Sequence, residues 1–188
     1  MKNYIDYKKI YNLYNMSHYK PTTLPTCAQF SAAGKSNLCA MLSSKLGLPL
    51  NNICELPEPR AAWTDLVNAS TYLEDAIVLP FRALYGIQPD TATNVKNYMI
   101  QSLHNAYYKM YYAWMYMCIA SGNTPNLQKI IKDLELALSG INKLVAEVQS
   151  LPLDLATLNN FAATYIYGFQ GVISYLSNSI VNSFSSQL

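Results

Sequence analysis

Between Pro125 and Ser150 the chain places Leu127, Ile130, Ile131, Leu134, Leu138, Ile141, Val145 and Val148 three or four residues apart, with polar residues filling most intervals. That period fits one stripe of an α-helix and not a strand, whose faces alternate every second residue. Such a stripe has to be covered, so the fold must contain a long amphipathic helix packed on others.

Pro and Gly cut the rest of the chain into further helix-length blocks, and no sustained period-2 alternation competes with them. Asn3 to about Tyr19 reads as a first helix. Pro21 and Pro25 interrupt it, and Thr26 caps a second helix from Cys27 to Gly47. The third runs from Arg60 to Gly86, broken or kinked near Pro80. The fourth starts at Asp90 or Thr91 and ends at Gly122. The fifth follows Pro125, and a sixth is capped by Asp154 and runs toward Ser183. "LPLNNICELPEP" is the best connector between an arm, residues 1–54, and a body, residues 55–188. The fold class expected is all-α: a four-helix bundle body preceded by an extended, Pro-hinged, basic helical N-terminal arm.

A chain of 188 residues buries a core without help from disulfides or metal. Its four cysteines (Cys27, Cys39, Cys54, Cys118) form no CxxC and no ligand spacing with His18 or His104, so no metal or other cofactor is expected. The N-terminus lacks the apolar run of a signal peptide, which makes reduced thiols the expectation. The last helix is uncharged but threaded with Gln170, Ser174, Ser177 and Asn178, and reads as a core or interface helix rather than a membrane span.

Only 13% of residues are charged while 51% are apolar, and there are sixteen tyrosines. Surfaces of that kind are poorly protected against association, which favours an assembling subunit. The net charge of +2 hides an asymmetry: residues 1–54 hold six Lys against one Asp, whereas 55–188 hold seven basic against ten acidic residues. A basic N-terminal segment suits an anionic partner, and it equally describes a solvated helix face. The candidate nucleic-acid contacts are Lys2, Lys8, Lys9, Tyr11, Lys20, Lys35 and Lys45, with Arg82 and Lys96 flanking the turn at Gly86. They would neutralise phosphates without reading sequence. Tyr4, Tyr7, Tyr11 and Tyr14 share one helical stripe, which faces the chain's own bundle, a neighbouring subunit or nucleic acid. Tyr4, Tyr7 and Tyr14, with Tyr108, Tyr112 and Tyr116 of the fourth helix, are the candidate subunit-interface residues.

Catalysis finds no support. Gly34-Lys35-Ser36 ends like a phosphate-binding loop, but Gln29 stands where the first glycine belongs and no strand precedes it. His104 has no nucleophile signature around it, and Glu74 and Asp75 are adjacent and diverge on a helix. The expectation is a non-enzymatic protein without a small-molecule substrate.

The basic, Pro-interrupted helical arm, the Tyr-rich helical body and the Tyr85-Gly86-Ile87 turn ahead of a long Tyr-containing helix together resemble the major coat proteins of filamentous and rod-shaped archaeal viruses. That resemblance implies a virion structural protein, a helical nucleocapsid subunit assembled in the host cytoplasm. Such subunits pack as dimers, often of two related coat chains, around linear double-stranded DNA, and some members carry a lipid envelope. It implies that residues 1–54 wrap the DNA and the bundle forms the shell. The residues also fit a different class, a helical-bundle adaptor whose N-terminal helix docks on a partner protein.

Overall fold

The computed structural model describes residues 26–46, 55–120 and 124–188. The first expected helix, most of the proline hinge and the arm–body boundary lie outside the described residues. What is described is all-α, with no strand. The elements are α1 (Cys27–Leu46), α2 (Glu58–Leu84), α3 (Ala92–Ile119), α4 (Pro125–Ser150) and α5 (Leu155–Phe161). A π-helical turn (Ala162–Ile166) continues α5 into α6 (Tyr167–Phe184), and a 3-10 turn (Ser185–Gln187) follows.

Local chemistry sets these ends. Thr91 accepts from the Asn94 amide at 3.1 Å, Thr124 from Leu127 at 3.2 Å and Asp154 from Thr157 at 2.9 Å, each satisfying a donor the helix leaves open. At the start of α1, Thr26 accepts from the Gln29 amide while the Gln29 side chain accepts from the Thr26 amide, a reciprocal capping box. Gly86 stops α2 in a left-handed conformation (φ 68°), and the Ile87 amide turns back to the Arg82 carbonyl. Pro80 sits buried inside α2, which continues past it.

All eight residues of the α4 stripe are buried. They face a helical bundle in which α2 packs on α3, α3 on α4, and α6 on both α4 and α2. Each covered aliphatic side chain contributes about 1.5–3 kcal/mol, which makes this stripe a principal source of cohesion. Gly140 lets α4 approach α6: a Cβ there would meet the Phe169 ring at 3.0 Å.

Two expectations are corrected. The cysteines are not reduced thiols: Cys27 and Cys118 are joined, with their Cα atoms 5.1 Å apart, and Cys39 is also disulfide-bonded. Nor does α1 stand away from the body. It packs on α3, with Phe30, Leu38 and Cys39 buried, and it covers the stretch 113–118, in which every residue is buried. That part of α3 is apolar all round and needs a neighbour on each side. α1 is the neighbour the sequence did not assign. The helix is also not continuous, because Gly34 breaks it at φ 78°, ψ 168°.

Candidate functional site

In α3, Tyr107, Tyr111 and Trp114 recur at spacings of four and three, and in α4 Glu135, Ser139 and Asn142 do the same. Each set forms one helical stripe, and packing α3 on α4 turns the two toward each other. Between them lies a cleft of about 490 Å³, lined also by Thr26 and Cys27. The Cys27–Cys118 bond pins the start of α1 there.

One wall is aromatic. The Tyr107 and Tyr111 rings are nearly parallel at 6.3 Å, Trp114 lies 5.5 Å from Tyr111, and Phe30 meets Tyr111 and Trp114 edge-on at 6.4 and 5.5 Å. Such pairs stabilise beyond their buried area and hold the rings in place. The other wall is polar: the Trp114 indole N–H donates to Glu135 Oε1 at 3.2 Å, and the Asn142 side chain hydrogen-bonds Tyr107. Burial, reinforced by Tyr107, pushes the Tyr111 phenol up to about 12, and burial also raises Tyr107. Both phenols therefore remain protonated donors at neutral pH. Flat rings, neutral hydroxyls and one carboxylate suit an aromatic or amide-bearing guest with a basic flank.

A second cluster lies between α2 and α3. Asp65 is only 2% exposed, its Oδ1 stands 3.8 Å from Lys109 Nζ, and its Oδ2 has no hydrogen-bond partner among the described residues. Desolvation raises its carboxyl to about 7 despite the opposing pull of Lys109. Above it, burial and then the phenols and carboxylate around it raise Tyr112, and burial and then Asp65 and Glu58 raise Tyr116 to about 12.

Among the described residues, Lys35, Arg82 and Lys96, expected to meet phosphates, do not converge. Lys2, Lys8, Lys9, Tyr11 and Lys20 lie outside the described residues, and for Lys45 only its place in α1 is described. Lys35 does not project as a phosphate-loop lysine would: it donates to the Leu56 carbonyl and stands 3.9 Å from Glu58. Lys96 reaches across to the Gln149 and Leu151 carbonyls at 2.8 and 2.5 Å, closing the C-terminal end of α4. Arg82 is exposed near the end of α2, about 36 Å along that helix from the Glu58 end that holds Lys35, at 1.5 Å per residue.

Of the tyrosines expected at subunit contacts, Tyr4, Tyr7 and Tyr14 are outside the described residues. Tyr108 is exposed, Tyr112 is half-buried with Lys109 Nζ 5.8 Å from its ring centre, and Tyr116 is 1% exposed. Tyr116 is a correction: its ring packs in the chain's own core and has no surface to offer a second subunit. His104 is half-buried, and burial lowers its pKa. Among the described residues no cluster of His, Cys, Asp or Glu is arranged to hold a metal, and no helix is long and apolar enough to cross a membrane.

Tyr107, Tyr111, Trp114, Glu135, Ser139 and Asn142 are not among the sites expected from the sequence. The signal was present as a shared four-and-three spacing on consecutive helices, polar on one and aromatic on the other. Searches against family models, curated proteins and solved structures return no match to this chain, so the cleft and the surface are interpreted from their own chemistry.

Proposed function

We propose that this chain is a structural subunit: a four-helix body that assembles in many copies, with a basic N-terminal arm that binds double-stranded DNA through its phosphates, as in a helical virion coat. The observation that supports assembly is the outward face of residues 155–184. Its own residues include no charged side chain, and Tyr165, Tyr167 and Tyr175 are 57, 66 and 51% exposed, Tyr175 with Lys129 of α4 5.2 Å from its ring centre. Uncharged aromatic surface of that extent favours contact with another chain over contact with water. The excess of six Lys over one Asp in residues 1–54 supports the DNA partner.

Sedimentation with and without duplex DNA tests this directly. Large assemblies that form on DNA of any sequence and weaken steeply with salt support it, and a monomer indifferent to DNA at low salt sinks it. The second reading, a non-enzymatic adaptor, draws its support from the aromatic cleft, a groove of a shape that suits a helix bearing aromatic side chains. An adaptor would bind a protein partner with one-to-one stoichiometry and ignore DNA.

A further inference from the structure

We propose that the cleft between α1, α3 and α4 is the docking site for residues 3–19 of the same chain, entered by the rings of Tyr7, Tyr11 and Tyr14. The first ground is where the chain outside the described residues ends. Residues 1–25 join the fold at Thr26, and Thr26 lines the cleft, fixed there by the adjacent Cys27–Cys118 bond. The six residues 20–25 reach at most about 20 Å even when fully extended. The segment up to Tyr19 is therefore tethered beside the cleft at an effective concentration on the order of millimolar.

The second ground is dimension. The aromatic wall runs from Tyr107 to Trp114 and the polar wall from Glu135 to Asn142, each seven residue steps, or about 10.5 Å at 1.5 Å per step. Tyr7, Tyr11 and Tyr14, read as a helix, span the same seven steps on one stripe. Rings from this stripe would extend the stack of Tyr107, Tyr111 and Trp114, with their hydroxyls toward the polar wall.

The third ground is charge. Residues 1–20 carry four Lys against one Asp, and the charged group of the cleft is Glu135. Lys9 lies two residues from both Tyr7 and Tyr11, and Lys2 two residues from Tyr4, which puts both on the side of the helix away from the rings. Docking thus seats the tyrosines and turns two lysines outward, available to an anionic surface. It does not rest on the DNA reading, because the contact forms without nucleic acid.

Amide hydrogen exchange on the full-length, disulfide-intact protein without DNA provides the test. Residues 3–19 should exchange at least about tenfold more slowly in the wild type than in Tyr7→Ser/Tyr11→Ser/Tyr14→Ser or in Ser139→Trp, which fills the cleft. The protection should not vary over about a hundredfold range of protein concentration. Unprotected wild-type residues, or protection unchanged in the tyrosine variant, overturn the proposal. So does protection that rises with concentration, which would assign the cleft to a second copy. Should Ser139→Trp fail to fold, the tyrosine variant decides alone, since it leaves every residue of the described helices unchanged.

Discussion

Asp65 carries a desolvation cost that the Lys109 ammonium at 3.8 Å does not offset, which is why its carboxyl is raised to about 7 and not lowered. The sign follows from linkage. The folded state holds a proton that the unfolded chain, with the ordinary value of 3.8, releases, so this contribution is complete below about pH 4 and is lost as pH rises through about 7. Asp65→Asn is expected to flatten that decline, measured as denaturant midpoints at about pH 4 and about pH 8. The disulfide acts at the same scale. Cys27 and Cys118 are 91 residues apart, and replacing both with Ser should cost about 2–4 kcal/mol, read from thermal unfolding of the paired variant against wild type. Neither feature was legible in the sequence: Asp65 sits in "WTDLV" with no sign that its turn faces inward, and cysteines without a spacing motif do not announce their partners.

Elements were read more securely than single residues, because periodicity and caps are local. The α4 stripe was buried residue for residue, and Thr91, Thr124 and Asp154 begin their helices through side-chain caps. What escaped was the break within α1 and the π turn at Ala162–Ile166. Gly34 matches the end of a phosphate-loop pattern, yet its role is conformational: φ 78° with ψ 168° is a region that residues with a Cβ avoid. Gly34→Ala should cost about 1–3 kcal/mol by chemical denaturation even though no neighbouring atom would be struck. The π turn is marked by no Pro or Gly of its own, so "AATYI" gives no sequence cue. Lys96, expected on a phosphate track, instead fastens α3 to the last carbonyls of α4. Lys96→Met should lower stability by about 1–2 kcal/mol and speed amide exchange in the last turn of α4.

For the whole molecule, composition suggests association, and the structure leaves Tyr165, Tyr167 and Tyr175 exposed along the π turn and α6. The placement of α1 was not legible, because a disulfide and a Phe30 contact join segments far apart in sequence, and no local pattern encodes such a pairing. Residues 1–25, outside the described residues, carry Lys2, Lys8, Lys9 and Lys20 against one Asp. Affinity for DNA should therefore reside there, and Arg82 and Lys96 should matter little. The most direct measurement is co-sedimentation of the full-length protein with duplex DNA across a salt series, comparing wild type with Lys2→Ala/Lys8→Ala/Lys9→Ala/Lys20→Ala. The coat account predicts sequence-independent assemblies whose affinity falls linearly in log–log coordinates with salt, with a shallower slope and much weaker binding in the variant. Wild-type protein that stays monomeric beside DNA at low salt, or a variant that assembles on DNA as the wild type does, would contradict it.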